Sequence, residues 1–435
     1  LKAISSGARD RDLRRAIPAA LIPVCSILAL FQPDFAWATC TPAVAANTTT
    51  VCSGTTTVTA PLGSGPSGPD NVTITIQPSA SVTAGNVSVI SLRDYATISL
   101  GAGALVQNAA TSGGGLWASG NDTIEFRSYG SLTIAAGASV RSTGSATNAE
   151  AVNLMGGGNS VTNYGLIYGN NAAIWFEDRV DVALANTIDN YGTIQSGSGQ
   201  SLNNVIGNQG NGNEIFINRS SGIVYGSLSF ANGNDSLTLY AGSLITGGFN
   251  GGGGTNSLTL HGTLGSSDTL VGNITNFQTL IKDGEGTWTL SGSVGNNSGG
   301  TPLAVTVQQG TLALTGNNTS FNGSVVVDPA GILQARAQSL PPSVIDNGLV
   351  WFTQPDNGIY AGAISGDGAV LKTDAGVLTL TGAKSYAGGT TIQGGTIAVS
   401  ADSNLGAPSG SLTFDGGALE LTSSFNMPSR AISIT

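Results

Sequence analysis

Charge is scarce in this sequence: Asp, Glu, Lys and Arg together make up 9% of its 435 residues. Only 15 Lys and Arg are present, and Lys2, Arg9, Arg11, Arg14 and Arg15 crowd the first stretch while the rest are scattered. No basic face remains for a phosphate backbone, so nucleic acid is excluded as a partner class. Histidine occurs once, at His261, so any Ser-His-Asp site must use it, yet no G-x-S-x-G elbow is present. Cysteine occurs three times, with no His close by, which excludes a metal knuckle. Apolar stripes at helical spacing are missing after Ala38, which argues against helical layers.

Glycine, by contrast, is abundant at 64 residues, and 40% of the chain is hydrophobic despite a net charge of −10. That hydrophobic share is too high for a disordered linker. The apolar residues fall in short β-type clusters such as Val325-Val326-Val327, separated by Gly and Asn.

The first 38 residues read as a secretory signal. The basic start is followed by an apolar stretch from Ile17 to Phe31, then by Ala36-Trp37-Ala38, with cleavage expected after Ala38. Pro18 and Pro23 interrupt the apolar stretch, which falls short of the ~20 residues of a membrane span. Val24 does not suit a lipid-anchor motif at Cys25. Removing the leader leaves Cys40 and Cys52, an expected disulfide in an exported protein.

Internal repeats carry the fold. Asn163-Tyr164-Gly165-Leu166-Ile167 returns as Asn190-Tyr191-Gly192-Thr193-Ile194, and more loosely from Asn218 and from Ser128. A second element, Gly120-Asn121-Asp122-Thr123-Ile124, returns from Gly212, Gly233 and Gly254. Each unit reads as a turn and then a strand of period two, with Leu237 and Leu239 on one face and Ser236 and Thr238 on the other. The Gly and Asn before the strand are expected to take the positive φ of a sharp corner. A single strand cannot bury its face alone, whereas stacked coils can. The expected fold is all-β, a right-handed parallel β-helix of pectin-lyase type. It would have roughly fifteen coils and a length of about 70 Å.

The last third is more specific. Lys282 to Gly292 aligns with Lys372 to Gly382, each followed by a Gly-Thr strand at Gly310 or Gly395. The motif comprises Gly376, Leu378, Leu380 and Gly382, then Tyr386, Gly388, Gly389, Thr390 and Thr391. It continues with Gly395, Thr396, Ile397 and Val399, and closes on Leu405 and Gly406. This stretch closely resembles the autotransporter-associated β-strand repeat, also called the passenger-associated transport repeat, of type V secretion. The copy over Lys282–Ala335 is degenerate, with Phe321-Asn322-Gly323 in place of the Tyr-x-Gly-Gly element.

The resemblance implies a signal peptide (1–38), N-terminal solenoid repeats (39–275) and a repeat-bearing solenoid (276–435). It also implies export by the Sec translocon and the outer-membrane assembly machinery to the outer membrane or cell surface. The expected role is adhesive or structural and non-catalytic, without a cofactor, toward a host or cell-surface glycan or protein. Repeats would assist secretion and stacking. No stretch has the alternating membrane strands of the barrel that anchors such passengers, and Ile432-Ser433-Ile434-Thr435 reads as a new strand. More repeat and a barrel are therefore expected to be encoded downstream.

Residues that could carry chemistry each have a plainer explanation. Gly233-Asn234-Asp235-Ser236-Leu237 is weakly similar to a GDSL lipase block, but no Asp lies three residues before His261, which reads as a turn residue. The Gly-Asn-Asp turns lack the tandem spacing of calcium nonapeptides, and Asx turns explain Asp122 and Asp235. Glu177-Asp178-Arg179 with Asp181 is the densest charge cluster. It is the candidate site of the alternative function, a pectin-lyase-like polysaccharide-degrading enzyme, although a solvated loop explains it better. Trp288 aligns with Leu378 and so belongs in the core, while Trp117, Trp175 and Trp351 are open candidates for carbohydrate platforms.

Overall fold

Alternation at period two sets the architecture. In the strand Ser257–His261, Leu258 and Leu260 turn inward and are fully buried, while Ser257 and Thr259 face out. The same pattern in Ser236–Tyr240 places Leu237 beneath Leu258 and Leu239 beneath Leu260 in a parallel ladder, and Leu258 in turn pairs with Leu280. The chain thus returns to the same face with its side chains in register, coil upon coil.

The computed structural model describes residues 39–113, 121–197, 204–208, 210–295, 301–316, 318, 321–427 and 429–435. The expected leader over residues 1–38 lies outside the described residues, as does Trp117. The described residues fall in one compact unit. Through the first two thirds, each coil contributes a strand to each of three parallel sheets. One coil supplies Ser131–Ile134, Ser139–Ser142 and Val152–Gly156; the next supplies Ser160–Asn163, Leu166–Gly169 and Ile174–Val180. Stacked partners are 28 residues apart at Asn190 and Asn218 but 21 apart at Glu214 and Asp235, so the coil shortens along the chain. From Ala304 the strands run through the corner as Ala304–Leu314 and Ser324–Ala335, and a further four-stranded sheet begins at Gly358–Tyr360. This is a parallel β-helix solenoid. Its described helical segments are three short 3₁₀ turns.

One continuous apolar core runs from Cys52 to Leu412. At its N-terminal end Thr39–Thr41 pairs antiparallel with Thr49–Ser53, and Cys40 is disulfide-bonded to Cys52 across that pair.

The corners meet the expectation only in part. Gly254 has positive φ, whereas Gly212, Gly233, Asn213 and Asn234 do not. Their conformation is set between coils: the Asn234 N–H donates to Asn213 Oδ1 and the Thr255 N–H to Asn234 Oδ1, each at 2.8 Å. Glycine is needed at 233 for closeness, since a Cβ there would sit 2.0 Å from the Gly212 carbonyl oxygen.

Because the core is one sealed column, truncating a central ring is costly. Phe216→Ala is expected to lower stability by about 3–5 kcal/mol, read as a fall in the urea midpoint with the far-UV spectrum still β-type.

Candidate functional site

The repeat motif is built into the coil stack. Leu378, Leu380, Ile397 and Leu405 are completely buried, as is Val399 beside them. Thr391 and Thr396 face outward from their strands. Tyr386 is sealed inside, its hydroxyl 2.6 Å from that of buried Thr390. Gly382, Gly389, Gly395 and Gly406 have positive φ. Gly376 and Gly388 are glycine because a Cβ would strike backbone of the preceding coil at 2.3 Å and 2.6 Å. The buried side chains and the glycines of the motif therefore serve stacking, while Thr391 and Thr396 lie on the outer face.

Lys282 and Lys372, which open the two aligned repeats, are completely buried. The Lys282 ammonium donates to the carbonyls of Asp283 (2.9 Å), Gly284 (2.7 Å) and Gln309 (2.8 Å). Lys372 reaches Thr373 (2.5 Å), Asp374 (2.8 Å) and Gly394 (3.1 Å). Each ammonium thus clasps its own corner to the next coil. Burial pulls the pKa of Lys282 down to about 8 and lowers that of Lys372 in the same sense. The recurrence of Lys at one place in both repeats was a visible signal for this clasp.

The acidic cluster is a solvated loop only in part: Asp181 is exposed beyond the strand end and Arg179 is exposed at its edge, but the other two acids are not. Glu177, Asp178 and Arg179 lie on the strand Ile174–Val180, where both carboxyls are buried and Glu177 pairs with Arg179. Nor is the cluster isolated from other acids. Asp122, Glu125 and Glu150 on neighbouring coils are buried beside it, with Asn153 donating to Asp122 Oδ2 (2.8 Å) and Glu177 Oε1 (3.4 Å). On the other side the Glu214 carboxyl lies between those of Asp178 and Asp235. Asp122 and Asp235 do not form local Asx turns. Their Oδ1 atoms accept the N–H groups of Glu150 and Glu214 on adjacent coils, each at 2.8 Å. Among the described residues no group of His, Cys, Asp and Glu could hold a metal ion.

His261 is not a turn residue. It ends the strand Ser257–His261, with Nδ1 2.8 Å from Asp283 Oδ1 and its ring 4.6 Å from that of Tyr240. The column continues: Arg219 lies between the rings of Tyr240 (4.8 Å) and Tyr191 (5.5 Å), and Tyr191 stacks on Tyr164 at 4.6 Å. These groups occupy one corner on successive coils and largely cover one another's faces. Trp288 is core, donating from Nε1 to the His261 carbonyl (3.1 Å). Trp351, half-buried, bonds Thr373 Oγ1 (2.9 Å), and Trp175 is half-buried on the outer side of its strand.

Replacing Lys372 with Met should leave three buried carbonyls without their donor, a loss of about 2–5 kcal/mol. Faster hydrogen exchange confined to residues 370–399 is the measurement that checks it.

Comparison with known proteins adds to this geometry. Residues 280–303, 307–335 and 370–399 match the passenger-associated-transport-repeat family. The segment read above as one degenerate copy thus holds two repeats. A 72-residue stretch, 17% of this chain, is 53% identical to the adhesin BmaC autotransporter of Brucella suis biovar 1 (strain 1330), of which it covers 2%. A 119-residue stretch, 27% of the chain, is 31% identical to the uncharacterized lipoprotein YdeK of Escherichia coli (strain K12), of which it covers 9%. The chain therefore matches only a small part of either relative. No solved structure matches it. Passenger-transport repeats stacked on a parallel β-helix, together with an autotransporter adhesin among the relatives, support an autotransporter passenger, of the kind exported to the outer membrane or cell surface.

Proposed function

We propose that the chain is a non-catalytic passenger whose role is adhesion, with the coil stack presenting its outer faces to a cell-surface glycan or protein. The observation that carries this reading is where the acids lie. Glu177 and Asp178, the acids of the enzymatic alternative, are each only 7% exposed, so they offer little access to a polysaccharide. The adhesin relative supports the same reading. Within it, the segment from 276 onward assists secretion, because its clasped coils stack in order as the chain emerges. The leader is removed after Ala38, and Sec and the outer-membrane assembly machinery carry the passenger outward.

Displayed on a surrogate cell with a barrel supplied, the passenger should raise adherence to host cells or immobilised glycans, whereas the purified chain should leave pectin and pectate intact. Robust cleavage that disappears in Glu177→Gln or Asp178→Asn would replace this reading with the enzymatic one. Deleting residues 372–406 should reduce surface display, measured by antibody labelling of intact cells.

A further inference from the structure

We propose that the buried carboxyl clusters make the coil stack proton-dependent, so that the coils between Asp122 and Asp235 are held firmly in acid and loosen as the medium becomes alkaline. This inference stands apart from the adhesive role.

The first cluster spans three coils. Glu125 is completely buried beside Ser88 and Ser91, facing Asp122 and Glu177. The Glu150 carboxyl hydrogen-bonds with that of Asp122 and takes the Asn171 amide at 3.2 Å. Arg179 is the cation that reaches this group, and it is committed to Glu177 at the solvent edge. The second cluster joins Asp178, on the strand Ile174–Val180, to Glu214 and Asp235, which stack in one column. Among the described residues, Asn186 donates to Asp178 Oδ1 at 3.3 Å, and the Asp235 N–H donates to Asn256 Oδ1 at 2.8 Å. Carboxyls this close and this dry cannot all ionise, so the folded chain retains protons that the unfolded chain releases.

The column itself shows that stacking does not require acids. The N–H of Gly130 donates to Asn159 Oδ1 (2.8 Å), that of Asn159 to Asn186 Oδ1 (3.0 Å), and that of Asn256 to Gln278 Oε1 (2.5 Å). Glu214 and Asp235 occupy the same register positions, where an amide performs the same structural task elsewhere. Acids at these two steps add titration without adding a necessary contact.

Burial, followed by the neighbouring acids, raises Glu125 to about 8 and Glu150 to about 10. Burial and the bonds to Asp235 and Asp178 raise Glu214 to about 11, while Asp122 and Asp235 shift upward mainly through burial. The sign follows. A carboxyl whose folded pKa is raised contributes its full stability below the unfolded value of 4.5 and loses it as pH climbs toward the folded value. Between pH 5 and 8 each retained proton lowers the folding constant about tenfold per pH unit. Burial also raises Asp346, outside these clusters, to about 7, and lowers Lys282 and Lys384 to about 8, so the variants and the location of the exchange, not the wild-type slope alone, assign the effect to the clusters.

The test is urea unfolding of the full chain at pH 5, 6.5 and 8, in EDTA and in calcium, beside Glu214→Gln and the double variant Glu214→Gln/Asp235→Asn. The wild-type midpoint should fall with rising pH in either medium. The variants should match it at pH 5, exceed it at pH 8 and show a shallower slope, with hydrogen exchange placing the difference in residues 174–240. A wild-type midpoint that is flat or rises with pH overturns the proposal. So does a variant effect equal at every pH, which is a purely structural role, or a slope abolished by calcium, which makes the clusters a cation site.

Discussion

Everything in this molecule depends on one constraint: each coil must hydrogen-bond to the next in parallel register, so every residue stands directly on its counterpart. Like therefore meets like. Leu237 stacks on Leu258, Asn163 donates to Asn190 and Asn190 to Asn218, and Tyr95 stacks on Tyr129 at 4.9 Å. For uncharged side chains this repetition adds contacts, whereas for charges it sets equal signs one strand spacing apart. The shortage of charge in the sequence follows from that geometry. Where charge appears in the stack it alternates in sign between coils, as in Arg127 with Asp94, Arg219 with Asp189 and Arg430 with Asp402. The two carboxyl clusters are the exception.

The strands were legible because burial imposes a period of two that survives any change in coil length. Leu237, Leu239, Leu378 and Leu380 turn inward as their alternation indicates. The repeated Asn-Tyr-Gly was visible too, but its reason was not. Asn163 and Asn190 form a buried amide ladder, and Gly192 is glycine because a Cβ would lie 2.2 Å from the Gly165 carbonyl oxygen. Those are contacts between coils, and one coil read alone contains neither partner.

The acids were harder for the same reason. Asp178 and Glu214 meet from different sheets: Asp178 lies on the strand Ile174–Val180, whereas Glu214 stacks on Asn186 in another ladder, so no coil repeat links the two acids in the sequence. Counting charges along the chain leaves Glu177 and Asp178 an isolated exposed group, whereas the stack sets them among Asp122, Glu125, Glu150, Glu214 and Asp235. His261 was misread likewise: its partners Tyr240 and Asp283 sit on the coils before and after it.

The lysine clasp has a consequence for how such a protein can change over generations. Lys282 is satisfied only when Gln309 of the following coil is in place, and Lys372 only with Gly394. Losing part of a coil strands an ammonium in the core. Losing or duplicating a whole coil hands the same ammonium an equivalent carbonyl, because the carbonyl belongs to the backbone and not to any particular side chain. Inheritance can therefore add or remove complete turns at these steps at little thermodynamic cost, whereas a change that takes away the facing carbonyl leaves the ammonium short of a partner.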